Sequence, residues 1–273
     1  MQLIVKGRLQ GTGFDRMLLP DTNADGNCML DLAEARFIEP YPLVAMACFV
    51  DATVKLQTKL GFIPPQDAQV SNYLSRMGFV EMLTKRYKFT KQLLPPVRAT
   101  PHPNDLIELQ WFDGSDVTQI ADFVWEQLRR TASSGALNAL HSSLWEIAEN
   151  VLFHAGTGGG WIAAQTYKRG TSSARVDVAI GDVGHGIQKT MHRHNPQTDL
   201  EAIDLALRYG VSGLDDPARG IGLADTAEQV RGLGGVVMVR SGNARRRLTR
   251  QESKGAQVTF LPGTIVGLSV PCG

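Results

Sequence analysis

Between Leu93 and Asp105 the chain carries four prolines, Pro95, Pro96, Pro101 and Pro103, with little apolar periodicity. Each proline removes a backbone donor and drives the residue before it out of the helical region. Neither a helix nor an inner strand runs through such a stretch. Residues 93–105 therefore read as an extended linker, dividing the chain into 1–92 and 106–273. The length of 273 residues suits that division, because single cores stop growing at roughly 250 residues. An apolar share of 43% supports a packed core and excludes a wholly disordered chain. With 28 Lys and Arg against 27 Asp and Glu, the net charge is +1. No overall field then favours nucleic acid or an anionic membrane. Cys28, Cys48 and Cys272 are too few for a disulfide framework, and no pair has metal-ligand spacing. Met1–Arg8 lacks the apolar core of a signal peptide, and no apolar run approaches the ~18 residues of a membrane span. A cytoplasmic protein without membrane or nucleic-acid partners is expected.

Before the linker, Cys28–Ile38 reads as a buried strand entered through the turn Asp25-Gly26-Asn27. Leu43, Ala47, Val50 and Val54 then recur at helical spacing, predicting a helix with one buried face that ends at Gly61. Val70, Leu74 and Met77 mark a second helix closed by Gly78, so this half reads as a small α/β layer. Asp21, Asn23, Asp25 and Gly26 imitate the start of a calcium loop. The twelfth position, which needs a bidentate glutamate, is Leu32, so calcium is not expected. After the linker, strands are predicted at 106–112, 161–167, 175–180, 236–240, 257–261 and 264–270. Helices are predicted at 117–130, 137–154, 200–209 and 223–230. Helices gather early and strands late, an α+β order.

The helix over Leu137–His154 is apolar except along one stripe, where Glu146, Asn150 and His154 stand four residues apart and so share a face. A carboxamide one turn from a carboxylate suits hydrated Mg²⁺, which takes oxygen ligands and keeps waters. Asn150 would hold the ion while Glu146 orients or deprotonates a nucleophile. A solvated polar stripe is the alternative reading. Further on, a strand runs into Gly181-Asp182-Val183-Gly184-His185-Gly186, and Arg219-Gly220-Ile221-Gly222 opens a helix. Glycines let a ligand approach the backbone closely, and a helix N-terminus with free N–H groups suits phosphate. Neither box has the Rossmann spacing, and there is no P-loop motif. Arg240, Arg245, Arg246, Arg247 and Arg250 cluster between late strands and read as an exposed, solvated hairpin.

In order, Glu146-x-x-x-Asn150, Asp182-x-Gly184-x-Gly186, Gly220-x-Gly222 and a closing strand from Gly263-Thr264 resemble the GHKL ATPase superfamily over 106–273. The resemblance implies a Bergerat-type α/β sandwich, a mixed sheet covered by helices, that binds ATP with Mg²⁺. It implies Glu146 as the catalytic carboxylate and Asn150 as the metal ligand. Asp182 would meet the adenine amino group, Gly184 and Gly186 would shape the pocket, and Thr264 would support the Asp182 contact. Arg219, Gly220 and Gly222 would meet the phosphates, under a mobile lid at 188–218. Gly255-Ala256 also precedes a strand and is a second candidate for the Gly-Thr position. His154, as Asn-x-x-x-His, is similar to the anti-sigma-factor serine kinases, although a histidine at a helix end also suits the dipole.

The strand–helix unit of 1–92 resembles STAS domains, the regulatory modules of partner-switching pathways. Its strand–helix turn, Glu39-Pro40-Tyr41-Pro42, has no Ser or Thr to accept a phosphoryl group, so a docking or regulatory role is expected. Together the resemblances imply a serine/threonine protein kinase of the anti-sigma-factor type acting on a STAS-domain protein or sigma-factor regulator. The alternative is an ATP-hydrolysing or ATP-binding switch that controls a partner, or a second copy of the chain, without phosphorylating it. A histidine kinase is not expected, since no helical hairpin before Asn150 carries an acceptor histidine. A topoisomerase or mismatch-repair protein is not expected either, with nothing after Gly273 to handle DNA.

Overall fold

In a computed structural model, residues 1–20, 27–87, 106–113, 122, 125, 129, 133–168, 171–208, 210–211 and 222–272 are described. Of 86, 87, 136, 139, 140, 153 and 154 only the backbone is. The linker 93–105 and nearly all of the helix expected at 117–130 lie outside the described residues.

The N-terminal half forms a four-stranded sheet in the order β2-β1-β3-β4, from β1 (Gln2–Leu9), β2 (Leu18–Leu19), β3 (Cys28–Ile38) and β4 (Leu60–Ile63). β1 and β3 are parallel, as are β3 and β4, while β2 is antiparallel to β1. Helix α1 (Gly13–Met17) links β1 to β2; α2 (Pro40–Lys55) follows β3; α3 (Ala68–Arg76) and α4 (Phe79–Tyr87) follow β4. Gly61 does not end α2 as expected. The helix stops at Lys55, the chain turns through Gln57 at φ 54°, and Gly61 lies in β4 with Met29 packed against it. Gly78 does follow α3, at φ +74°.

The C-terminal half forms a five-stranded sheet, order β5-β6-β7-β9-β8, from β5 (Leu106–Asp113), β6 (Gly159–Tyr167), β7 (Arg175–Gly181), β8 (Val236–Leu248) and β9 (Ser253–Pro271). Among the described residues the expected mixed sheet is found in the N-terminal half and not here. Every pair among these strands is antiparallel; for β6 with β7 and β8 with β9 the short connection enforces it, since a parallel pair needs a long crossover. The two late strands predicted at 257–261 and 264–270 are one, β9. Among the described residues the α-helices of this half are α5 (Ser134–His154), α6 (Gly186–Thr190), α7 (Asp199–Ala206) and α8 (Gly222–Gly232). The fold is α+β throughout.

Helix α2 ties the halves together. It is buried on every side from Pro40 to Thr53, not along one face, because Ala45, Met46 and Phe49 fill the faces between the predicted stripe. A helix apolar all round belongs inside a core. Its cluster joins Leu3, Leu30 and Leu32 of the first sheet to Ala163, Ala179 and Ile265 of the second. The opposite face of the second sheet, with Val176, Val178 and Val266, packs with Ile147 and Val151 of α5, Ile203 of α7 and Ala227 of α8. Strand alternation sends neighbouring residues to the two covers.

Candidate functional site

Where β7 ends, Asp182 is 3% exposed. Its carboxylate accepts the Gly184 N–H at 2.6 Å and the Thr264 backbone N–H, while its own N–H donates to the Thr264 carbonyl at 2.9 Å. Burial pushes its carboxyl up to about 6, opposed by those backbone donors and by the Lys55 ammonium. The turn is closed by near contact of backbones. A Cβ at Gly263, which stands at φ +86°, would lie 2.1 Å from the Asp182 carbonyl oxygen, and one at Gly184 would lie 2.0 Å from that of Ala155. Between the two candidates for the Gly-Thr position, it is Gly263-Thr264 that borders Asp182. Gly255 lies instead in the β8–β9 hairpin, opposite Arg246.

Ser241, which no local pattern marks, organises the next layer. Its hydroxyl accepts the Ile187 N–H at 2.8 Å and donates to the Gly263 carbonyl at 3.1 Å. It also lies 3.2 Å from the Thr264 hydroxyl. The Thr264 hydroxyl thus meets Ser241, while its backbone meets Asp182. Gly186 opens α6 at φ +75° beside the same serine.

Helix α5 carries Glu146 and Asn150 with exposed side chains, while Ile147, Ala148 and Val151 point into the core. After His154, whose side chain is outside the described residues, the Ala155 carbonyl accepts the His185 N–H at 3.0 Å. At its middle, α5 meets the start of α8: a Cβ at Gly222 would lie 2.2 Å from a Glu146 carboxylate oxygen. Partial burial, then Glu149 and Asp225, push the Glu146 carboxyl up. The helix stripe, the Asp182 turn and the first residue of α8 are therefore joined by two contacts, one at the middle of α5 and one at the residue that follows it. Arg219 and Gly220 lie outside the described residues. Among the described residues no group of three or more His, Cys, Asp and Glu is placed to hold a metal.

Of the segment 188–218, expected as a lid, residues 188–208, 210 and 211 are described. Thr198 caps α7 by accepting the Glu201 N–H at 3.1 Å, Ala202 and Ile203 are fully buried, and Asp199 accepts the Asn243 N–H of β8 at 2.8 Å. One expectation is corrected here: the arginine hairpin is not a solvated stripe. Arg240 is 1% exposed and pairs with Asp15 at 3.0 Å, and Arg245 pairs with the other Asp15 oxygen at 2.8 Å. Arg246 pairs with Asp204 and Arg247 with Glu252. A cavity of about 400 Å³ lies elsewhere, under the same sheet, lined by Glu39, Tyr41, Arg175 and Asp177 among others. Arg175 bridges Glu39 at 2.8 Å and Asp177 at 3.1 Å there. Burial pushes Asp177 up to about 6.

No family model matches the chain, and no curated protein matches it. Among solved structures it is similar to the histidine kinase domain from Erythrobacter litoralis EL346 blue-light activated histidine kinase. The identity is 16% and the TM-score 0.28, over 84% of this chain and 83% of that one. A superposition that loose settles neither fold family nor activity. No helix among the described residues is long and apolar enough to cross a membrane.

Proposed function

We propose that this protein is a Mg-ATP-binding signalling protein, a serine/threonine protein kinase of the partner-switching type. One observation carries the reading. Helix α5 touches the glycine that opens α8 through Glu146, and Ala155, the residue directly after the helix, touches the Asp182-x-Gly184 turn. Residues brought together from motifs far apart in the chain thus border one region. Glycine is required at Gly184, where a Cβ would overlap the Ala155 backbone, while at Gly222 a Cβ would displace the Glu146 carboxylate.

The chain's own groups divide the work as follows. Asp182 has a buried carboxylate satisfied by backbone donors alone, with lone pairs left to accept an exocyclic amine. The start of α8 offers the positive end of the helix dipole to phosphate oxygens. Asn150 supplies an amide oxygen for Mg²⁺, and the ion would neutralise charge on the transferring phosphoryl group. Glu146, its carboxyl raised by burial and acidic neighbours, would take the proton from an attacking serine or threonine hydroxyl. The products are then a phosphorylated partner and ADP. Residues 1–92 serve as the docking or regulatory module and, with a buried Glu39-Pro40-Tyr41 turn, not as the acceptor.

Incubation with γ-labelled ATP and STAS-domain proteins tests the reading. Phosphoserine or phosphothreonine on a partner, lost in Glu146→Ala, is the expected result. Steady phosphate release with no labelled protein would replace the kinase by an ATP-hydrolysing switch. Absence of ATP binding overturns both.

A further inference from the structure

The Asp182 turn rests on α2, an element of the N-terminal half. Val44 Cγ1 and Cys48 Sγ lie 2.9 and 3.0 Å from where a Cβ at Gly181 would sit. One turn later Asp51 accepts the Trp161 indole N–H at 2.6 Å, fixing the helix against β6. At the last residue of α2 the Lys55 ammonium donates to the Val183 carbonyl at 3.0 Å.

That carbonyl belongs to the same peptide unit as the Gly184 N–H, which donates to Asp182 at 2.6 Å. A peptide unit is planar, so its C=O and N–H point in opposite directions and turn together. Lys55 and Asp182 therefore grip the two ends of one plate. Residue 184 is a glycine, the residue type least able to hold its own backbone against rotation. Rotating the plate would carry the N–H away from Asp182. A charge-assisted bond at the carbonyl opposes that rotation and polarises the unit, strengthening the N–H as a donor.

We propose that Lys55 is a positioning residue for Asp182, and that through this contact the N-terminal module sets the affinity of the adenine pocket. The proposal rests on reading Asp182 as the adenine contact and goes beyond it by giving 1–92 a route to the site. A partner that shifts the last turn of α2 releases the plate and weakens nucleotide binding without touching the pocket.

The test compares Lys55→Met, which keeps the stem and removes the ammonium, with Lys55→Arg, which restores a cationic donor. The first readout is hydrogen exchange at the Gly184 amide in nucleotide-free protein, resolved by NMR. The second is ATP affinity from fluorescence competition. Exchange at Gly184 should rise about tenfold or more in Lys55→Met and ATP affinity fall by a similar factor, with Lys55→Arg close to wild type in both. Lys55 is an exposed last-turn residue, and circular dichroism and tryptophan fluorescence report that the fold is kept. Gly184 exchange unchanged in Lys55→Met overturns the proposal. So does faster exchange with unaltered ATP affinity, since the clamp would then not reach the nucleotide. If the wild type binds no ATP, the nucleotide reading fails, and the Gly184 amide still decides the clamp.

Discussion

Beneath α2 and at the end of β7 the molecule treats buried carboxylates in opposite ways. Beneath α2 each one meets a side chain of complementary chemistry: Asp15 has Arg240 and Arg245, Asp51 has Trp161, and Glu39 has Arg175. At the end of β7, Asp182 is held at its carboxylate by the backbone N–H groups of Gly184 and Thr264, with Lys55 acting from one residue further on. Charges matched by side chains lock two halves of a chain together. A charge matched by backbone donors keeps acceptor capacity for something else. The first region joins the two halves; the second leaves acceptor capacity on Asp182.

The largest test of that contrast lies in the first region. Arg240→Met removes a fully buried guanidinium from Asp15, and breaking such a pair costs about 3–5 kcal/mol, read as a lower denaturation midpoint in urea. A loss under about 1 kcal/mol would mean that the Asp15 cluster does not join the two halves.

The next concerns Asp182 and pH. Its carboxyl stands at about 6 in the folded protein against an ordinary 3.8, so the folded state holds the proton more tightly. Its contribution to stability is therefore lost as pH rises from about 4 to about 6, by at most about 3 kcal/mol. Asp182→Asn does not titrate. Its stability relative to wild type should rise by up to that amount between pH 4 and pH 7, and Asp177, also near 6, cancels in the comparison. Parallel curves for the two proteins would contradict a raised Asp182 carboxyl. Trp161→Phe removes the indole donor to Asp51 and should cost about 1–2 kcal/mol in the same assay. Smallest is Arg247→Ala: its pair with Glu252 at 3.6 Å is 35% and 42% exposed, and solvent screens such pairs, so the urea midpoint should stay at the wild-type value.

The contrast also marks what is legible in sequence. Asp182, Gly184 and Gly186 can be read because a strand and its turn are local, and the Glu146–Asn150 stripe because a helix repeats within one turn. Lys55 and Ser241 cannot, since each acts on the site through a fold contact with a distant segment. The arginines read as a solvated hairpin because Asp15, which buries two of them, comes from the opposite end of the chain. The all-round burial of α2 was hidden by its own composition, as a stripe at helical spacing stands out less when the residues between are also apolar. The antiparallel pairs β6–β7 and β8–β9 follow from the short connections after Tyr167 and Leu248, whereas β5–β6 and β7–β9 join strands far apart in the chain.

The central claim is that the Asp182 turn and α5 border an ATP site. Isothermal titration of wild type and Asp182→Asn with ATP, each with and without Mg²⁺, tests it most directly. Saturable, Mg²⁺-dependent binding by wild type, weakened about 10- to 100-fold in the folded Asn variant, is the predicted result. No heat of binding at millimolar ATP, or equal affinity in the two proteins, would contradict it.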